Sequence, residues 1–227
     1  MEIESKHLKF KHPANILIAG PTGSGKTQLI RRILKNFNLH FNNLNKEKIK
    51  IIWAYGQWQP FIDIKLSDDI VVEYLNELPS EDLLVKTKPD IVIIDDLMHE
   101  INKEKHFENL FIKKSHHLNI SVIFSVQNLF YNAKSMRTVS LNSHYIILMK
   151  NPRDSQQVSS LARQIFPNYK SYFMESFSDA TNKAYGYIRI DLTPDTPENL
   201  RLTTRITPEE HIFNTFSPII YLNKNVK

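Results

Sequence analysis

The residues able to do the most specific chemistry stand in one run of eight: Gly20, Pro21, Thr22, Gly23, Ser24, Gly25, Lys26 and Thr27. The run fits G-x-x-x-x-G-K-T, the pattern of a loop that wraps the phosphates of a nucleotide. The chain has only five glycines, and three of them are here. Glycine permits the positive-φ backbone that turns consecutive N–H groups inward, where they can meet phosphate oxygens. The positive end of a following helix adds to that attraction. Lys26 would reach the β- and γ-phosphates, and the Thr27 hydroxyl would bind Mg²⁺. With Gln28 next in line, residues 20–28 form the candidate ATP-binding set.

A second group lies at 91–96, where Ile-Val-Ile-Ile runs into Asp95 and Asp96. An apolar strand that delivers an acid to the metal is the expected partner of a phosphate loop (a Walker B element). Asp95 would hold Mg²⁺, directly or through water, and Asp96 would orient or deprotonate the attacking water. Roughly seventy residues separate Lys26 from Asp95, which leaves space for further strands between the two elements. The third candidate is Gln127, at the end of the apolar run 120–126. A glutamine there can hydrogen-bond the γ-phosphate or the lytic water, whereas the plain alternative is a side chain capping a strand exit.

These groups need elements to hold them. Residues 15–19 (NILIA) are long enough for one buried strand, and 28–34 place Leu29, Ile30, Ile33 and Leu34 at helical spacing. Further strands are expected at 50–55, 70–74, 90–97, 120–126 and 144–149. The unbroken apolar runs among them suggest burial on both faces of a sheet. Helices are expected from 81, with Ser80 as cap, and over 135–141 and 152–166. The charged stretch 100–118 has an approximately helical apolar face. Residues 183–192 alternate as an edge strand would, with 201–206 as hairpin partner. Residues 1–14 read as a lead-in with an edge strand near Leu8 and Phe10, and the last stretch as a tail. Strands alternating with helices argue for one α/β domain with a mainly parallel sheet.

Composition narrows the classes. There is no cysteine, which excludes a disulfide framework and thiolate metal sites. No apolar run approaches the roughly 18 residues of a membrane span, so no membrane partner is expected. The first residues lack the apolar core of a signal peptide, pointing to cytosol or nucleus. A formal charge of +5 permits a polyanionic partner without establishing one.

In this order, GPTGSGKT, IVIIDD and a polar residue closing the next strand resemble the FtsK–HerA superfamily of P-loop ATPases. The stretches WAYGQWQP, IVIIDDLM, SHHLNISVIFSVQNLF, MRTVSLNSHYIILMKNPRD and AYGYIRIDLTPDTPENLR resemble, more narrowly, the genome-packaging ATPases of eukaryotic double-stranded DNA viruses and virus-like transposons, the poxvirus and Polinton types. The resemblance implies an RecA-like three-layer sandwich of the ASCE class, with a mainly parallel central sheet and a C-terminal hairpin at one edge. Residues 13–206 would be the ATPase domain, flanked by a lead-in (1–12) and a tail (207–227). It implies a ring of identical subunits that uses ATP and Mg²⁺ to pump double-stranded DNA into a capsid, with a capsid protein as partner. The setting would be a host nucleus or cytoplasm, or the virion. Lys26, Thr27, Asp95, Asp96 and Gln127 match the family's nucleotide positions. One departure is that much of the superfamily has Glu where this chain has Asp96, which leaves Glu100 as a reserve base.

A ring ATPase uses a cation from the neighbouring subunit, worth about 10³–10⁵ in rate where one acts. Arg153 is the first candidate and Arg137 the second, since a guanidinium pairs bidentately with phosphate oxygens; Arg163 follows. For DNA, Lys103, Lys105, Lys113, Lys114, His116 and His117 cluster between the two acidic and Gln127 elements, either facing a channel or forming a solvated helix face. Trp53, Tyr55 and Trp58 are able to stack on a base or to fill the core. Two other functions use the same loop: a small-molecule kinase, for which no arginine-bearing lid is evident, and a nucleotide-gated switch with little turnover.

Overall fold

The computed structural model describes residues 5–44, 46–57, 65–97, 115–129, 133–153 and 155–223. At its centre is a nine-stranded sheet. The phosphate-loop strand β2 (Asn15–Ala19) follows a short β1 (Phe10–Lys11), and β3 (Phe41–Asn42) pairs with β1 in a separate two-stranded sheet. The lead-in strand therefore does not join the edge of the main sheet. Next come β4 (Ile49–Tyr55), β5 (Ile70–Leu75), β6 (Ile91–Asp95), β7 (Ser121–Val126) and β8 (Tyr145–Met149). The last three are β9 (Tyr187–Asp191), β10 (Leu202–Thr204) and β11 (Ile219–Tyr221). The order across the sheet is β11-β10-β9-β8-β2-β7-β6-β4-β5. From β8 to β5 all pairings are parallel, and from β8 to β11 all are antiparallel.

Every residue of β2, β6, β7 and β8 is buried, which is why their apolar runs are unbroken rather than alternating. Successive side chains still take opposite faces. Ile16, Ile18, Ile93 and Ile147 pack with Leu29, Ile30, Ile33 and Leu34 of α1 (Lys26–Lys35) and with Phe37 of α2 (Phe37–His40). Leu17, Val92, Ile94, Val122 and Phe124 pack on the other face, against Leu84 of α3 (Glu81–Thr87). After a single turn, α4 (Ser115–His117), that face is completed by α5 (Ala133–Leu141), α6 (Ser155–Ile165) and α7 (Lys170–Ala180). They supply Met136, Val139, Val158, Leu161, Ala162 and Phe173 to the same core. The result is the expected three-layer α/β sandwich. Ser80 caps α3 as expected, its side chain accepting from Leu83 N.

Three elements differ from expectation. Helix α7 has no counterpart in the sequence reading, although Phe173, Ser176 and Ala180 are its buried positions at helical spacing. Strand β9 is interior, not an edge, because β10 and β11 extend the sheet beyond it. Its alternation is real, but both faces are covered. Ile188 and Ile190 enter the core with Phe173, while Arg189 lies between Phe10 and Tyr145, 5.0 and 4.9 Å from their ring centres. Arg189 also bonds Asp191, Thr203 and the Lys9 carbonyl, and so fastens the N-terminal arm to the sheet. Finally, the stretch read as a tail contributes β11, antiparallel to β10. Of the charged stretch 100–118, residues 100–114 lie outside the described residues. Among the described residues no helix is long and apolar enough to cross a membrane.

Candidate functional site

The carboxyl ends of β2, β6 and β7 meet at one place because the three strands are parallel and β7 lies between the other two. Ligands bind at such strand ends in open α/β sheets. Hydrogen bonds staple the exits together. Gly20 N donates to Val126 O at 3.1 Å, Asp96 N to Ser125 O at 3.4 Å, and Gly56 N, leaving β4, to Asp95 O at 3.0 Å.

The phosphate loop ends at Gly25, whose φ of 95° serves as the N-cap of α1. No side chain caps that helix, so its first N–H groups remain for a ligand. Ser24 Oγ is buried in the loop without a hydrogen-bond partner. A buried hydroxyl is costly to leave unpaired, and a phosphate oxygen would satisfy it. Lys26 is buried and curls over its own loop, Nζ donating to Gly20 O at 2.7 Å and Pro21 O at 3.2 Å. Burial lowers its pKa, opposed by the charges of Asp95 and Asp96. Here the two carbonyl oxygens occupy the ammonium in the way phosphate oxygens would.

Thr27 Oγ1 donates to Asp95 Oδ2 at 2.9 Å, so the two proposed metal ligands are already in contact. Burial raises the Asp95 pKa, while the hydrogen bond from Thr27 and the Lys26 charge pull it down. Such a carboxylate gains from a cation beside it. Among the described residues no group of three His, Asp or Glu is placed to hold a metal. One carboxylate and one hydroxyl suit Mg²⁺, which keeps most of its positions for water and phosphate oxygens.

Asp96 turns out of β6 with a φ of 58°, a left-handed conformation that a short polar side chain tolerates. Gln127 Nε2 donates to both carboxylate oxygens of Asp96, at 2.8 and 2.9 Å. The glutamine thus reaches the second acid itself, a contact the sequence reading did not foresee. Gly56 is confined by the same turn, since a Cβ there would stand 2.3 Å from Asp96 O. Gly56→Ala is therefore expected to displace the Asp96 turn and to cost about 1–3 kcal/mol of stability. Thermal unfolding checks this, and an unchanged midpoint would show that the exit of β6 yields freely.

The other candidates are more scattered. Arg153 is exposed, its backbone N bonding Asn151 Oδ1 at 3.1 Å, and it does not line the nucleotide cavity. Arg137 belongs to α5 and Arg163 to the last turn of α6. Trp53 is core, 1% exposed, and Tyr55 packs half-buried against the same cluster. Neither lines the cavity at the phosphate loop, and Trp58, Glu100, Lys103, Lys105, Lys113 and Lys114 lie outside the described residues. His117 is exposed.

A cavity of about 640 Å³ opens from the phosphate loop, lined by Thr22, Gly23 and Gly25 to Leu29, with Asp95 and Asp96. It continues to residues that sequence reasoning did not single out: Arg32 on α1, the segment 182–187, Arg205 after β10, and Ile219 and Tyr221 of β11. Arg32 lies six positions beyond Lys26 on the same helix, which is not a shared helix face, and nothing in the sequence points to it or to the others. Tyr187 OH donates to Glu210 Oε2 at 2.6 Å and fixes the far wall.

No protein-family model matches the chain, and no curated protein matches its sequence. Among solved structures it is similar to the genome packaging NTPase B204 from Sulfolobus turreted icosahedral virus 2. With sulfate bound, that protein gives a TM-score of 0.54 at 17% identity, over 81% of this chain and 94% of that one. Its complex with ATP-gammaS gives 0.54 at 16% identity over the same shares. The complex with AMPPCP gives 0.51 at 16%, covering 81% and 95%. The fold is that of the P-loop NTPases in the RecA-like arrangement, and the expected resemblance to packaging-type P-loop ATPases holds at the level of the fold.

Proposed function

We propose that the chain is an ATP-hydrolysing motor subunit that translocates double-stranded DNA, packaging a viral or virus-like genome into a capsid. The observation that carries the reading is the convergence of Lys26, Thr27, Asp95, Asp96 and Gln127 at three adjoining strand ends. The likeness to a protein described as a genome packaging NTPase supports it.

In this reading the loop N–H groups, Ser24 Oγ and Lys26 hold the triphosphate. Thr27 and Asp95 would hold Mg²⁺, which would supply positive charge against that of the triphosphate. Asp96 accepts a proton from a water whose oxygen bonds to the γ-phosphorus as the bond to the β–γ bridging oxygen breaks. Gln127 sets the direction of the Asp96 carboxylate and reports the state of the γ-phosphate. Arg153, exposed and away from its own cavity, is offered to the neighbouring subunit of a ring, with Arg137 as second choice. DNA is gripped through its phosphates without regard to sequence, a capsid protein anchors the ring, and the setting is a host nucleus or cytoplasm, or the virion.

The test is ATP turnover with and without double-stranded DNA, with mass measurement in nucleotide. DNA is expected to stimulate turnover of an assembled ring, and binding to fall steeply with salt because counterions are released. A flat salt response or a strong preference for one sequence would contradict the motor. Phosphoryl transfer to a small acceptor would indicate a kinase, and tight binding without turnover a switch.

A further inference from the structure

The phosphate-binding end of the cavity is only part of it. Beyond Lys26 and Thr27 the space runs on to the segment 182–187 and the C-terminal hairpin. In that wall stands Tyr185, an aromatic residue with two unusual properties. It is 66% exposed, and its φ is 58°. A bulky residue in the left-handed region is strained, and strain of this kind gathers at ligand clamps. The turn that presents it is pinned at both ends: Gly186 N bonds Lys183 O at 3.3 Å, and Lys150 N, at the exit of β8, bonds Gly186 O at 2.8 Å. The ring leans on the phosphate loop, so that a Cβ on Gly25 would lie 3.2 Å from Tyr185 Cδ1. The ring belongs to neither core cluster, and it lines the cavity beside Gly25.

We infer that Tyr185 is the stacking platform for the base of the bound nucleoside triphosphate. The strained turn 183–186, Arg32 of α1 and Tyr221 of β11 together form a nucleoside subsite continuous with the phosphate loop. The inference rests on the nucleotide reading of that loop and names what recognises the other half of the ligand. It also replaces Trp53 and Tyr55, neither of which lines this cavity, with an aromatic side chain that does. An aromatic face suits any base, and Arg32 and Tyr221 border the space around the sugar and ring edge.

Binding of Mg-ATP and of Mg-tripolyphosphate, which has the phosphates without the nucleoside, is compared by calorimetry for the wild type and for Tyr185→Ala, Tyr185→Phe and Tyr185→Gly. Thermal unfolding is followed in parallel. Tyr185→Ala is expected to weaken ATP roughly tenfold or more, in line with base–aromatic stacking, and to leave tripolyphosphate unchanged. Tyr185→Phe should bind ATP like the wild type. Tyr185→Gly should bind ATP as poorly as the alanine variant and yet unfold at a higher temperature, because glycine relieves the positive φ. A merely structural role would not separate affinity from stability in this way. Unchanged ATP affinity in Tyr185→Ala, or an equal loss for tripolyphosphate, overturns the subsite while the phosphate-loop reading stands. If the wild type binds neither ligand, the phosphate loop itself is misread and the subsite falls with it.

Discussion

Lys26→Ala is expected to reduce ATP turnover by at least about a hundredfold and to weaken nucleotide binding, because it removes the one loop cation aimed at the β- and γ-phosphates. The structure sharpens the reason. Lys26 is buried, and its ammonium already lies on the carbonyls of Gly20 and Pro21, at 2.7 and 3.2 Å. Moving from these carbonyls to phosphate oxygens keeps the charge in a site that water reaches poorly, where electrostatic stabilisation is strong. Alanine leaves the charge of the triphosphate opposed by the loop N–H groups and metal alone. The same change strips two loop carbonyls of a donor, so unfolding must be measured beside turnover. Lys26→Met, which keeps the aliphatic stem, separates lost charge from a loosened loop. Wild-type turnover in either variant would sink the site assignment.

Asp96→Asn is expected to bind ATP nearly as the wild type does and to lose hydrolysis by about 10²–10⁴-fold, the usual worth of a general base. Binding is expected to survive because the proposed metal ligands are Thr27 and Asp95, which share a hydrogen bond, and not Asp96. Hydrolysis fails because an amide cannot accept the proton of water. Gln127 adds a second expectation. Its amide donates to both Asp96 oxygens, and an asparagine in either orientation would keep one acceptor and set its own NH₂ group against the Gln127 NH₂. Gln127→Ala should therefore lower turnover with little effect on ATP affinity, through loss of the carboxylate's direction. Normal turnover in Asp96→Asn beside a dead Glu100→Gln would transfer the role of base to Glu100.

By itself the sequence determined the local parts of this site. The eight-residue loop is recognisable because its chemistry is made by neighbours along the chain: glycines that bend it, a lysine and threonine that open a helix, an apolar strand before them. The strands at 91–95 and 121–126 were legible for a related reason. A strand buried on both faces has to be apolar throughout, and the acids at its exit mark where it reaches solvent. Thus the α/β class was legible in the sequence, and so was the choice of Lys26, Thr27, Asp95 and Asp96 as candidates, which the fold brings to adjoining strand ends.

Tertiary structure decided what depends on residues far apart in the chain. Strand order placed β7 between β2 and β6 and so brought Gln127 onto Asp96, thirty-one positions away. It buried Trp53, whose sequence neighbourhood of aromatics looks equally suited to a base. It made β9 interior, because the cover over Arg189 comes from Phe10 and Tyr145 and the outer strands come from the last part of the chain. The far wall of the cavity is assembled from α1, the turn before β9 and the strands β10 and β11. No periodicity or motif encodes such a wall, since its members share no element and meet only when the sheet closes the distance between them. Tyr185 belongs to this second kind. Its type was always readable, but its exposure, its positive φ and its nearness to Gly25 exist only in the folded chain.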